Sequence, residues 1–296
     1  MTLKARTRMP ISIKVQNRVM ASRSRSEIVE AYKALPEHIK KASTAIVWRG
    51  VSPYDGQRIM AIVSGLQTPS ANDKTGKMAQ LSILLDIATG VYPTEAINTG
   101  ADKAICGECP LRLLDGSRIC YVNVFFNEGS KFKAINERES LGYDVVITPE
   151  QLAIILAYRQ RGIRFGSYGD PGMLPYELIE LIITESGVNY TSYTHQWVHP
   201  WFDTRHFNYS MASIDHINTV ELLISLHGTD IRYYRLLNDA SGQLNSNEIM
   251  CPSDTNKRKD SGPKVKGKFA RKITCSECGL CAGSGKAAKS IAIREE

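Results

Sequence analysis

Seven cysteines fall into two sets, Cys106, Cys109 and Cys120 in the middle of the chain and Cys251, Cys275, Cys278 and Cys281 near its end. Four thiolates can close a tetrahedral zinc site or hold an iron–sulfur cluster, whereas three leave one metal position open to a water, a histidine, a cofactor or a substrate. A closed site beside an open one is the pattern of a metalloenzyme rather than of a zinc-stapled module. In TCSECGLCAG the cysteines recur at x2 spacing, with Gly279, Gly283 and Gly285 permitting the tight turns that wrap a metal. Cys251, in IMCPSD, is the expected fourth donor, because the cost of closing the long loop between them grows only slowly with length. CGECPLR and ICYV space the middle set x2 and then x10. The plainer alternatives are a structural zinc knuckle for the later set and buried, unligated thiols for the middle one.

A disulfide framework fits these cysteines poorly. The N-terminus MTLKARTRMPISIK is basic without an apolar core, no run is long enough to span a bilayer, and the cysteine count is odd. A reducing, cytoplasmic setting is expected, where cysteine clusters bind metal.

The net charge of +7 is unevenly placed. Lys4, Arg6, Arg8, Lys14, Arg18, Arg23 and Arg25 all precede the first acidic residue, Glu27. A second basic run carries Lys257, Arg258, Lys259, Lys264, Lys266, Lys268, Arg271 and Lys272 between Cys251 and the cysteine triplet. Held at both ends by a metal site, that loop would present its charge at a fixed place, suited to the phosphates of a nucleic acid. A solvated surface loop is the plainer alternative.

These groups need a scaffold, and the second half of the chain alternates strand-like and helix-like segments. IRFGSYGD, NYTSYTHQW, NYSMASID and IRYYRLLN read as strands. Helices are expected after Thr148 and Pro149, after Pro175, and through Val220 to Gly228. LSILLDI reads as the entering strand, and TAIVWRGV and RIMAIVSGL as an N-terminal β-rich extension. The rhythm predicts an α/β fold, a complete or partial parallel (β/α) barrel with a Cys-rich metal-binding C-terminal segment. The expected divisions are 1–44, a basic arm and helix; 45–250, the barrel-like domain; and 251–296, the Cys-rich segment with its basic loop.

Parallel α/β folds do their chemistry at the carboxyl ends of the strands. The residues expected there are polar: Gly166, Ser167, Gly169 and Asp170; His195; Asp215; and Arg235, with Asn238 and Asp239 beyond it. Asp170 and Asp215 are candidate acid, base or ribose-hydroxyl ligands, His195 a metal ligand or proton shuttle, and Arg235 an anion clamp. Gly166, Ser167 and Gly169 form a turn that a cofactor can approach closely. Each also has a bland role: Asp170 and Asp215 as helix caps, His195 as a loop hydrogen-bonder, and Arg235 paired with Glu248 or Asp239. His199 and His206 are further donors for the open site. Tyr190, Tyr193, Trp197 and Trp201 either stack on a base or pack.

Taken together, NDKTGKMAQ, ADKAICGECPLR with CYVNV, IRFGSYGDPGMLPYE, YTHQW, MASID, IRYYRLLN, MCPSD, TCSECGLCAG and KSIAI resemble a family of uncharacterised proteins of bacteriophages and prophages, from about residue 45 onward. That resemblance implies a host-cytoplasmic setting and no particular activity. More distantly, the plan resembles the radical S-adenosylmethionine (SAM) enzymes. Three cysteines follow an early strand, and a glycine-rich turn with an acidic residue ends the next. The resemblance implies a [4Fe–4S] cluster on the three cysteines and SAM at Gly166, Gly169 and Asp170. The superfamily spaces its cysteines x3 then x2, unlike this chain. A second analogy is to the zinc-containing transglycosylase barrels that exchange guanine for a deazaguanine, with Asp170 and Asp215 as the two carboxylates.

The expected function is a metal-cluster enzyme that modifies nucleic acid or a nucleotide, with an Fe–S cluster or Zn2+ as cofactor and SAM as a candidate second one. The alternatives are the deazaguanine-exchange reading and a zinc-stabilised DNA-binding protein of phage replication or transcription.

Overall fold

In this computed structural model the residues described are 23–69, 72, 74–114, 117–118, 120, 122–143, 146–237, 243–253, 273–284 and 288–294. The first basic run up to Arg18, the whole loop from Lys257 to Lys272, and Asn238, Asp239 and Gly285 lie outside them.

Helices α1 (Arg25–Ala34) and α2 (Glu37–Lys40) lead into an antiparallel meander of β1 (Thr44–Val51), β2 (Arg58–Ser64) and β3 (Met78–Leu85). After β3 come α3 (Pro93–Thr99), α4 (Lys103–Cys106), the small hairpin β4 (Leu113–Leu114) and β5 (Ser117–Arg118), α5 (Gly129–Ser140) and α6 (Pro149–Arg159). The parallel alternation then begins: β6 (Gly162–Tyr168), α7 (Tyr176–Ser186), β7 (Tyr190–Thr191), β8 (Tyr193–Thr194), β9 (Met211–Ile214), α8 (Asn218–His227), β10 (Tyr233–Leu237) and β11 (Glu248–Met250). A short helix α9 (Cys275–Cys278) precedes the closing strand β12 (Ser290–Arg294).

The strands form two five-stranded sheets, ordered β1-β2-β3-β6-β7 and β11-β12-β10-β9-β8, and every pairing from β3 onward in them is parallel. Ser192, between β7 and β8, is the hinge from one sheet to the other. Its N–H donates to the Cys281 carbonyl at 3.3 Å and its carbonyl accepts from Met211 at 3.0 Å. The α/β class expected from the sequence is therefore present, as two parallel-rich sheets in which β1 and β11 are terminal strands.

Local sequence explains the elements. Thr148 caps α6 reciprocally with Gln151, with Pro149 at the first helical position, and Gly187 ends α7 at φ +62°. β2 and β3 are apolar almost throughout because both of their faces are covered, by α6 and α7 among others. A second core gathers Trp197, Phe202, Phe207, Ile214 and Leu223, and a third packs Cys251 and Cys281 with Met211, Ile291 and Ile293. None of the described helices is long and apolar enough to cross a membrane.

Three features differ from the expectations. Residues 251–296 are not set apart, since β12 inserts between β10 and β11 and pairs in parallel with both. Helix α1 docks on α6, with Tyr32 stacked on Tyr158 at 3.7 Å. Arg235 is no anion clamp: it lies in the middle of β10, 1% exposed, with Nε 2.8 Å from the buried Glu248 carboxylate. The buried–intermediate alternation of β10 puts residues 233, 235 and 237 on the inner face, so its guanidinium is spent on holding β11.

Candidate metal centre and strand-end site

The loop after β3 carries the middle cysteine set. Cys106 closes α4, and Gly107 follows at φ +55°, where an added Cβ would lie 2.1 Å from the Gln196 side-chain oxygen. Arg112, from the CPLR run, organises this loop from within. It is 5% exposed, its Nε donates to Asp102 at 3.0 Å, and its other nitrogens donate to the carbonyls of Gly107 and Gly100 at 3.2 Å each. A buried, fully engaged guanidinium fixes three points of the chain at once.

Two hydrogen bonds lay this loop over the carboxyl ends of β6 and β8. The Asp170 N–H donates to Ile105 O at 2.7 Å, and Gln196 Nε2 donates to Cys106 O at 2.8 Å. Asp170 is the knot. Its Oδ2 accepts from the His195 N–H at 2.7 Å and from Gln196 Nε2 at 3.1 Å, while Oδ1 accepts from Gly172 N at 2.8 Å. It does cap the turn that follows, but the same carboxylate ties β6 to β8. His195 Nε2 lies 3.2 Å from Asp215 at the end of β9, and Asp215 gives α8 no side-chain cap. Thus Cys106, Cys109, Cys120, Asp170, His195 and Asp215 do belong to one neighbourhood, as their mutual electrostatic influence also indicates.

That neighbourhood is crowded with anionic groups. Burial, and after it the charges of Cys109, Asp102, Cys120 and Asp170, push the Cys106 thiol well above its usual value. Burial opposes the protonation of His195, but its hydrogen bonds to Asp215 and Cys109 outweigh this and raise it well above an ordinary imidazole. Soft donors whose negative forms repel one another are a set that a bound cation relieves. Tyr168, at the end of β6, has a buried hydroxyl without a hydrogen-bond partner and feels Cys106, Asp102, Arg118 and Cys120.

The glycine-rich turn is as tight as expected. Gly166 and Gly169 have φ of +67° and +74°, and a Cβ on Gly169 would stand 2.7 Å from Ile83 Cβ and 2.8 Å from its carbonyl. The Gly169→Ala variant is expected to lose ~1–3 kcal/mol of stability through this strain, checked by urea unfolding; an unchanged midpoint would refute the clash. Ser167 turns away from the thiols, its hydroxyl 2.7 Å from that of Ser82, which also receives Lys131 Nζ at 3.0 Å.

The second cysteine set is assembled from both ends of its long loop. Cys251 N donates to Ala292 O at 2.7 Å, and α9 docks where Cys275 N and Ser276 N donate to the carbonyls of Lys74 and Thr75. Arg232, 5% exposed, donates to the carbonyls of Gly283, Leu280 and Lys289, so this loop too is built on a buried arginine. Burial lifts Cys281 to about 12, with Cys251, Cys275 and Cys278 adding to the rise against a hydrogen bond from Tyr193. Lys74, Thr75 and Asn189, which hold α9, precede β3 and β7, so α9 lies at the amino ends of these two strands.

All seven cysteines are free thiols, the donor chemistry of zinc or an iron–sulfur cluster. Their arrangement is looser than a ligand shell: among the described residues, no three or more His, Cys, Asp or Glu side chains are grouped so as to hold a metal ion. His206 is buried and its Nε2 donates to the Leu174 carbonyl at 3.1 Å, and His199 stacks on Trp201 at 5.2 Å. Of the aromatics weighed for base stacking, Trp197 is 2% exposed with Nε1 donating to Ser213 O, and the buried Tyr190 donates its hydroxyl to Ala282 O, while Tyr193 and Trp201 are half-buried.

Arg112, Asp102 and Arg232 have no forewarning as site residues, while Tyr168 and Gln196 read from the sequence as strand-end residues without a role. The only signal for Arg112 was its place inside the CGECPLR run. Compared with protein-family models, curated proteins and solved structures, the chain has no match.

Proposed function

We propose that the protein is a metal-cluster enzyme that modifies nucleic acid or a nucleotide, with radical-SAM-like iron–sulfur chemistry on Cys106, Cys109 and Cys120. The parallel strands would then be read as a partial barrel. The observation that carries the reading is the laying of the Cys106 loop across Asp170 and Gln196, which puts three thiols of one loop at the carboxyl ends of parallel strands. Cys251, Cys275, Cys278 and Cys281 would hold a second, structural metal. Metal binding and local folding are coupled, so closure of the thiols to ligand spacing would accompany uptake of the metal.

An iron–sulfur cluster in the middle site would supply one-electron chemistry and an open iron position. The chain's own residues would do the rest. Asp170 fixes the backbone at His195 and so orients its ring. The His195 and Asp215 pair can hold a proton at Nε2 beside a substrate. Gly166 and Gly169 hold the turn tight against Pro171 and Ile83, so SAM, the expected cofactor, would meet the turn elsewhere than at these glycines.

The test is metal and acid-labile sulfide analysis, with a visible spectrum, of the full chain purified without oxygen. Iron and sulfide with a brown chromophore are expected, and Cys106→Ala should lose the part of both that belongs to the middle site while the zinc or iron of the other set stays. Zinc without sulfide would overturn the cluster reading and leave base exchange and DNA binding to be separated by a base-exchange assay.

A further inference from the structure

A cleft of about 400 Å3 opens beside Cys120, between α3 and the chain from Arg118 to Phe125; Ile97, Asn98, Arg118, Cys120, Asn123 and Phe125 line it. Its size suits a single small-molecule unit. One wall runs into a π-helical turn, Val124–Glu128, a rare conformation found disproportionately at functional sites. Val124 and Glu128 anchor that turn in the interior, at 4% and 2% exposure, while Phe125 and Phe126 between them stand in solvent at 65% and 69%. The two rings meet edge to face at 5.1 Å. Arg118, a lining residue, stiffens the wall by donating from Nη1 to the carbonyls of Cys120 and Val122.

Two adjacent phenylalanines held in water by an anchored, irregular turn forgo apolar burial that the fold gains nothing from exposing. An aromatic face and an arginine lining one cleft match a base and its phosphate. A paired base hides its faces within the duplex stack, so the base must be unpaired.

We propose that this cleft receives one nucleotide unit of a single-stranded nucleic acid, its base stacked on Phe125, which Phe126 braces edge to face, and its phosphate at Arg118, so that the nucleotide is delivered beside Cys120. The proposal deepens, and rests on, the reading of the middle cysteines as the reactive centre. It places recognition on the cleft rather than on the tyrosines and tryptophans of the strand ends, which the core consumes.

The experiment is fluorescence anisotropy of a labelled short single-stranded oligonucleotide with the full chain, at salt high enough to suppress non-specific phosphate contacts, with an equal-length duplex and a free mononucleotide as competitors. Metal content is measured on the same preparations. The wild type should prefer the single strand to the duplex. The double variant Phe125→Ala/Phe126→Ala, altered only at exposed side chains, should bind roughly ten-fold or more weakly, while Phe125→Trp should keep its affinity. Competition by the mononucleotide would support the same cleft with a free nucleotide as its occupant. Unchanged affinity in the double alanine variant, or equal binding of the duplex, would overturn the proposal. Metal-free protein that still binds single strands through Phe125 and Phe126 would retire the cluster reading and keep the cleft; metal-loaded protein indifferent to the double substitution would do the reverse.

Discussion

Replacing Glu248 by alanine is expected to cost the fold ~3–5 kcal/mol, because it strands the Arg235 guanidinium in the interior. The two side chains are 1% and 0% exposed, and Arg235 meets both carboxylate oxygens at 2.8 Å. Glu248 Oε2 also accepts from Asn245 N at 2.8 Å, and Arg235 donates to Gln243 O, so the pair holds the turn that leads into β11. Burial works to raise the Glu248 carboxyl, but the hydrogen bonds from Arg235 and the Asn245 backbone outweigh it and hold it below its usual range. The sign of the linkage follows. The folded state binds the proton less readily than the unfolded chain, so the contribution is present above the ordinary carboxylate range and is lost as pH falls through the lowered folded value. Urea unfolding of Glu248→Ala, beside a double variant Arg235→Met/Glu248→Leu, measures this. The double variant should recover most of the loss, since an apolar pair of similar size has no charge to bury. A loss under ~1 kcal/mol in the single variant would mean that the pair behaves as a solvent-exposed one.

The second large effect is expected at Asp170. Asp170→Ala leaves the N–H groups of Gly172 and His195 without their acceptor, and a buried donor so deprived costs ~1–3 kcal/mol. Gln196 Nε2 keeps Cys106 O as a partner, so the cysteine loop stays attached while His195 loses its seat. Under the proposed function, modification should be abolished while oligonucleotide binding through the Phe125 cleft stays within a few-fold. Asp170→Asn is not conservative here. Whichever way the amide turns, its NH2 group faces an N–H donor, from Gly172 on one side or from His195 and Gln196 on the other. It should therefore resemble alanine in activity. Product assays and unfolding curves for both variants decide the matter, and a variant that folds and retains modification would remove Asp170 from the chemistry.

Much of this site was legible because it is local. The polar residues ending IRFGSYGD, YTHQW and MASID are close to their strands in sequence, and a strand displays its end wherever the sheet is placed. The inward face of Arg235 had no signal in the sequence: YYRLL is aromatic or apolar on both sides of the arginine, and only the burial of residues 233, 235 and 237 in the sheet shows which face is inner. The exposed Phe125 and Phe126 carried none either, since two phenylalanines in VNVFFNE read as core until the π-turn turns them out.

What the sequence by itself determined is the set of local choices: the Thr148–Pro149 cap, the apolar runs of β2 and β3, the left-handed glycines of the Gly166–Gly169 turn, and two cysteine sets with distinct spacings. Each depends on side chains within a few residues of one another. Only the tertiary structure decided that β12 slips between β10 and β11, that Ser192 splits one strand between two sheets, and that Arg112 and Arg232 each gather a cysteine loop around a buried guanidinium. Those outcomes join residues tens of positions apart, where the selecting quantity is the satisfaction of buried backbone groups across the whole fold, and no local pattern encodes that sum.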